Sequence, residues 1–254
     1  MIPPHHSESE PWQPSKFLWH EATLTTSMDT SRVVTDAGRA HIKTMGNNQG
    51  PHALACELIC TRLAQWFGVP TLDVAVLPLT DADTFDLNGG RRAEAGPAFA
   101  TRTIQAEPWD GAETTLKALC NADRLARLVV FDTWIRNDDR YPPMDGAGRP
   151  TTTWNANRGN LLITPEGAPP KELRFVAIDF GRGLTLGHEL TATVNSIVAV
   201  RDKAVYGLFP AFRPFVSAAR VREAATELGE VTTDVVRAII DSVPREWDVS
   251  RKAS

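Results

Sequence analysis

Apolar and polar positions follow two rhythms along this chain. Up to about residue 104 the pattern is that of short strands: Ala22 to Ser27, Arg32 to Val34, Ala40 to Met45, Leu72 to Leu79 and Ala98 to Ile104. Asp36-Ala37-Gly38 supplies a turn between the second and third of these. One helix interrupts the strands. In His52 to Trp66 the residues Leu54, Leu58, Leu63 and Trp66 fall close to helical spacing, and Gly68 with Pro70 stops the run. From Thr115 onward the spacing is helical, over Leu116 to Cys120, Ala122 to Trp134, Thr193 to Val200, Pro214 to Leu228 and Thr233 to Val243. Thr80 to Glu94 is polar and contains glycine, so it reads as a connection, and Tyr141 to Pro150 is a Pro/Gly-rich stretch inside the helical part.

Strands followed by helices predict an α+β chain of two lobes, β-rich first and helical second. The expected division is a disordered N-terminal tail over 1–16, a β-rich lobe over 17–106 and a helical lobe over 107–254, with a cleft near residues 100 to 112. The 254 residues, 42% hydrophobic, are enough for a substantial core. A net charge of -4 gives no reason to expect nucleic acid or an acidic membrane as partner. The polar, Pro-rich stretch from Met1 to Pro14 has no apolar signal core, and no apolar run approaches the roughly 20 residues of a membrane span. A soluble, cytoplasmic protein is expected. Cys56, Cys60 and Cys120 lack metal-ligand spacing and are expected to be buried free thiols. His41, His52 and His188 are scattered and read as structural or surface residues, whereas Trp66, Trp134, Phe212 and Phe215 read as core.

Three stretches carry chemistry. The first runs from Phe131 to Arg140 and ends in Asn137-Asp138-Asp139-Arg140; the second is Asn160-Leu161-Leu162-Ile163; the third is Val176-Ala177-Ile178-Asp179-Phe180-Gly181-Arg182-Gly183. An Asp-Arg turn after an apolar helix, an Asn leading into an apolar strand and an Asp closing another strand are the parts that phosphoryl transfer from a magnesium nucleotide requires. Asp179, at the end of a buried strand, needs a cation or donor to offset its burial, and magnesium bridging nucleotide phosphates would supply it. Asn160 would add a neutral oxygen to the same metal. Lys43 on a strand offers a point charge for the α and β phosphates, and Glu57, fourteen residues on and in the helix, would hold it in place. A strand-edge lysine or a helical glutamate alone is commonplace; the spacing across a strand-to-helix change makes them a candidate ion pair.

These residues resemble the HipA-like kinase domain. The likeness lies in Gly38 to Lys43, Gly50 to Glu57, Leu63 to Pro70, Gly96 to Arg102, Asn137 to Arg140, Asn160 to Leu162 and Ile178 to Gly181, and covers about residues 20 to 190. The Asp-Arg and Ile-Asp-Phe-Gly elements are also similar to those of phosphatidylinositol kinases and atypical secretory-pathway kinases. The resemblance implies a two-lobed protein-kinase-like fold that uses ATP and Mg2+. It places Asp139 facing the acceptor as base or hydroxyl-orienting carboxylate, and Arg102 with Lys43 beside the nucleotide. No glycine-rich phosphate loop stands between the first two strands. Thr25 to Ser31, which includes Ser27, offers hydroxyls and backbone donors in its place.

Two departures matter. Tyr141 stands where a His often follows Asp-Arg in the family, and Tyr141 to Gly159 lengthens a loop that is usually short. Asn155 and Asn157 therefore compete with Asn160 as metal ligand, and a protruding hairpin beside the catalytic loop is expected. The implied activity is a protein Ser/Thr kinase. A kinase for a lipid headgroup or small-molecule hydroxyl, a nucleotide-binding regulatory module with little transfer activity, and a nucleotidyl transferase holding ATP in a reversed pose remain alternatives. The acceptor and any regulatory protein partner are open.

Overall fold

Strand pairing in the first hundred residues is antiparallel throughout. In the computed structural model, which describes residues 12–151, 156–187 and 203–248, the strands are β1 (Phe17–Thr23), β2 (Ser31–Thr35), β3 (Gly38–Lys43), β4 (Val74–Leu79) and β5 (Gly96–Arg102). They form one sheet in the order β1-β2-β3-β5-β4. The β2–β3 hairpin closes where Thr35 pairs with Gly38, and the Thr35 hydroxyl accepts the Ala37 N–H at 3.1 Å while donating to the Gly38 carbonyl at 2.7 Å. Gly38 sits at φ 98°, a conformation that an L side chain resists.

The two-residue period of β3 sorts its side chains. Ala40 and Ile42 join Val33, Leu77, Ala98 and Ala100 on one face. Phe85, Leu87 and Ala93 cover that face from the segment between β4 and β5, so Thr80 to Glu94 is a cap with apolar anchors as well as a connection. On the other face stand Lys43 and its pairing partner Phe99. Against this face lies α1 (Pro51–Trp66), which starts at the Gly50-Pro51 step favoured for a first helical turn. Leu54 and Leu58 of α1 pack with Phe99, whereas Cys60, Leu63 and Ala64 pack with the second half of the chain.

That half contains a small sheet, β6 (Glu107–Pro108), β7 (Leu161–Thr164) and β8 (Arg174–Ala177), in sequential order. The helices α2 (Glu113–Lys117), α3 (Leu125–Ile135), α4 (Ala218–Leu228) and α5 (Thr233–Asp241) accompany it. Leu125, Leu128, Phe131, Phe175, Phe180 and Phe212 form the centre of its core, all with no measurable exposure. The architecture is therefore α+β and two-lobed, antiparallel sheet first and helices second. After α5 the chain returns to the first lobe: Trp247 is 1% exposed, packs with Leu54, Leu58 and Phe99, and donates its indole N–H to the Pro97 carbonyl at 3.1 Å. No helix among the described residues is long and apolar enough to cross a membrane.

Several expectations change. The first strand lies at Phe17–Thr23 rather than 22–27, because the chain turns at 24–30: the Thr26 hydroxyl accepts the Thr30 N–H at 2.9 Å, and the Leu24 N–H bonds the Thr30 carbonyl. The stretch after Arg140 forms a hairpin, Met144 bridging Pro150 and the Thr151 N–H bonding the Pro143 carbonyl, but its base is docked. Pro142, Pro143 and Met144 are buried, Met144 exchanges backbone hydrogen bonds with Val205, and residues 146–151 are exposed. Cys56 and Cys60 are buried but Cys120 is exposed, and Trp134 is 40% exposed on the outer side of α3. His52 is buried, and His41 is half-buried with its Nδ1 3.1 Å from the Thr103 hydroxyl. The helix expected over Thr193 to Val200, His188 and Asn155 lie outside the described residues.

Candidate active site

Lys43 reaches the site because β3 directs alternate side chains to the α1 face. Its Nζ donates to Glu57 Oε2 at 2.7 Å and to Asp179 Oδ1 at 3.0 Å, with the Phe99 ring 5.9 Å away. The second Glu57 oxygen, Oε1, accepts the backbone N–H of Phe180 at 2.9 Å. One helical carboxylate thus holds both the lysine and the backbone next to Asp179. Close approach explains two glycines there: a Cβ on Gly181 would stand 2.8 Å from Glu57 Oε2, and one on Gly183 would stand 2.7 Å from Cys60 Sγ.

The charges in this cluster are unequal. Burial works against ionised Lys43, but Asp179 and Glu57 outweigh it and raise the ammonium pKa, so Lys43 stays charged. Burial pushes Glu57 up to about 7 despite its lysine partner, and the nearby Asp179 charge adds to the rise. For Asp179 burial is opposed by the charge and hydrogen bond of Lys43, and the balance lowers its pKa. Its side chain, 34% exposed, keeps a face toward solvent.

The loop after α3 is organised from inside. Arg136 ends the helix at φ 56°, and Asn137 turns back to donate its backbone N–H to Asp132 O at 2.8 Å and its Nδ2 to Asp132 Oδ1 at 3.2 Å. Arg140 and Asp132 are both fully buried and pair at 2.7 Å. The remaining guanidinium nitrogens of Arg140 donate to the carbonyls of Asn160 and Ile178, and its Cζ lies 5.1 Å from the Phe180 ring centre. Arg140 therefore ties α3, the start of β7 and the segment after β8 to one another. A carboxylate inside the apolar run of α3 has no cheap place without such a partner. The sequence signal for the pair is Asp132 itself, an acid inside the apolar run from Leu125 to Ile135.

Asp139 emerges from this scaffold. Its Oδ2 accepts Asn160 Nδ2 at 2.6 Å and Asn157 Nδ2 at 3.4 Å. Burial, and next the charge of Asp179, raise its pKa. Asp138, the neighbour of Asp139, receives two hydrogen bonds from Arg182, at 2.8 and 3.0 Å. That clip joins the Asp139 loop to the Asp179 loop.

Lys43, Glu57, Asp139, Asn160 and Asp179 thus converge from β3, α1, the α3–β7 loop and the end of β8. Two other candidates do not join them. Ser27 is exposed in the turn between β1 and β2, with no side-chain hydrogen bond among the described residues. Its loop is anchored beside it, since buried Asp29 accepts Asn88 Nδ2 at 3.0 Å and Arg91 Nη2 at 2.7 Å. Arg102 pairs with Ala40 in the register that pairs Lys43 with Phe99, so it lies on the face opposite Lys43. There it bonds Glu166 at 3.3 Å and approaches Asp73 at 3.6 Å, a surface bridge between the two sheets.

The donor set suits a hard cation. Asn160 commits its Nδ2 to Asp139, which leaves Oδ1 for a metal, and Asp179 has a carboxylate oxygen beyond the one bound to Lys43. Among the described residues no group of three or more His, Cys, Asp or Glu is arranged to hold an ion. One carboxylate and one amide fit a magnesium that takes the rest of its shell from water and phosphate better than an ion that needs a full protein cage.

The sequence profile of the HipA-like kinases matches residues 35–164, just over half of the chain. Lys43, Glu57, Asp139 and Asn160 fall inside the matched range and Asp179 beyond it. No curated protein matches the chain in sequence. Among solved structures, that of a Helicobacter pylori proinflammatory kinase, CtkA, aligns with a TM-score of 0.45 and 8% identity, over 91% of this chain and 92% of that one.

Proposed function

The chain belongs to the HipA-like kinase family, and from that premise we propose that it transfers the γ-phosphoryl group of ATP to a hydroxyl, with a protein Ser or Thr side chain as the first candidate. The observation that carries the reading is the position of Lys43 Nζ between Glu57 and Asp179, residues 14 and 136 positions away in sequence. A structural ion pair needs one carboxylate. A lysine shared by two, one of them a third exposed, suits a site built for a further anionic group and its cation.

In this reading Lys43 binds the α and β phosphates, and Glu57 keeps the ammonium aimed at them while fixing the Phe180 backbone. Asn160 and Asp179 would hold Mg2+, which supplies charge neutralisation across the phosphates. Asp139 orients the acceptor hydroxyl and takes its proton. Asn160 fixes Oδ2 of that carboxylate, so Oδ1 is left for the acceptor, and a raised pKa favours proton uptake. Arg182 and Asp138 hold the two acidic loops at a set separation, which makes positioning the main catalytic device. The proposed lobes are residues 17–106 and 107–254, and the free thiols suit the reducing cytoplasm.

Incubation with ATP labelled separately at the α and γ positions tests the reading. Transfer of γ label alone to a protein or small hydroxyl compound is expected. Transfer of α label would replace phosphoryl by nucleotidyl transfer.

A further inference from the structure

Helix α1 is poorly held by its own sequence. Its N-cap is Gly50, which offers no side-chain acceptor, its first turn has no acidic residue and its last turn no basic one. It also carries buried Glu57 in its middle, where a carboxylate opposes burial. Its position must therefore come from packing. On the sheet side that packing is Phe99, and across the same cluster it is Trp247, the largest fully buried side chain of the described residues.

Trp247 shares one apolar cluster with the α1 residues around Glu57 and with the strand partner of Lys43. Leu54, three residues before Glu57, and Leu58, next to it, share its cluster. So does Met28, from the loop between β1 and β2. Its indole N–H is bonded to Pro97 O on β5, two residues from the Phe99 that pairs with Lys43. Val243 packs beside it, and Ser242 O accepts a 3.5 Å hydrogen bond from Arg62 on α1. The side chain arrives from the far end of the chain, 190 residues beyond Glu57 and after the helical lobe has been completed.

We propose that residues 233–248 form a strap across α1 and that Trp247 is a positioning residue, holding Glu57 against Lys43 in the catalytically competent arrangement. The inference rests on the phosphotransferase reading for its functional consequence, but not for the docking itself. Without the strap, the outer side of α1 loses its cover and the helix is free to carry Glu57 away from Lys43. The lysine would then turn toward Asp179 alone.

Full-length Trp247→Ala, Glu57→Gln and the double variant decide the matter. Trp247→Ala is expected to raise the KM for ATP on the order of 10- to 100-fold, because misplacement of a positioning group by about 1 Å has effects of that size. In the Glu57→Gln background the same substitution should leave KM unchanged, since the residue it acts through is already disabled. Equal increases in both backgrounds would overturn the proposal and reduce Trp247 to general packing. Trp247→Phe retains a ring in the cluster and should restore most of the affinity. It also carries the comparison should the alanine variant fail to fold. Amide hydrogen exchange gives a readout independent of catalysis: Trp247→Ala should speed exchange in α1 around Glu57 while leaving the β2–β3 hairpin protected. Unchanged exchange in α1 would sink the strap. A wild-type protein that neither binds nor turns over ATP would instead sink the phosphotransferase reading, with exchange still deciding the strap.

Discussion

Glu57 holds the backbone N–H of Phe180 across 123 residues of sequence, at 2.9 Å, with the carboxylate oxygen not used by Lys43. The lysine of the first lobe and the acidic loop of the second are thereby set by one side chain. Movement of α1 would shift both together.

Lys43 and Glu57 should respond unequally to removal. Lys43→Met leaves Glu57 and Asp179 facing one another without a cation, a loss of about 3–5 kcal/mol in folding stability. Glu57→Gln leaves Lys43 paired with Asp179 and keeps an acceptor for the Phe180 N–H, so its loss should be much smaller, while ATP affinity falls. Urea denaturation of the two variants checks this, and equal losses would contradict the shared-lysine arrangement.

The same residue gives a pH dependence. Glu57 titrates from 4.5 when unfolded to about 7 when folded, so its contribution is fully present below pH 4.5 and lost as pH rises through 7. Asp179 acts oppositely, because its lowered pKa contributes above 3.8 and is lost only in acid. Thermal melts should therefore show Glu57→Gln gaining on wild type between pH 5 and pH 8. A constant difference over that range would place Glu57 outside the buried cluster.

Asp179 and Asp139 should separate binding from chemistry. Asp179→Ala should weaken magnesium-ATP binding in calorimetric titration. Asp139→Asn should bind nearly as wild type and lose about 10²–10⁴-fold in turnover, the range for removal of a positioned proton acceptor. Unchanged magnesium-ATP affinity in folded Asp179→Ala would remove the metal assignment.

Asp138 and Arg182 should behave as a unit. A double-mutant cycle with Asp138→Asn and Arg182→Met should return a coupling of about 0.5–3 kcal/mol in stability, as for other directly bonded pairs. Strict additivity would show that the clip contributes nothing.

The stretch after Arg140 should divide at residue 145. Replacing 145–149 by a short Gly-Ser turn should keep stability within about 0.5 kcal/mol and preserve ATP binding while altering acceptor turnover. Met144→Ala should instead cost about 2–5 kcal/mol, because that side chain is buried beside Val205. Loss of ATP binding in a folded 145–149 variant would put the turn at the nucleotide instead.

Local pattern determined much of this protein. The two-residue period of β3, the apolar spacing of α1 and the order of lysine, glutamate, Asp-Arg, Asn and Asp-Phe-Gly are properties of neighbouring residues, and they sufficed to propose the α+β division and five of the seven candidate site residues that converge. The tertiary structure decided the rest, because it depends on which distant surfaces meet. Arg102 differs from Thr101 by one position, and strand register alone puts it on the face away from Lys43. Ser27 stands outside the cluster because Thr26 and Thr30 close their loop on themselves. Asp138 gained a role only when Arg182 came beside it, and the Asp132–Arg140 pair only when the α3–β7 loop folded back under Phe180. Trp247 is the clearest case. No periodicity within residues 233–248 could say that the core it enters belongs to the other end of the chain, since a hydrophobic side chain is attracted to apolar surface without regard to sequence distance.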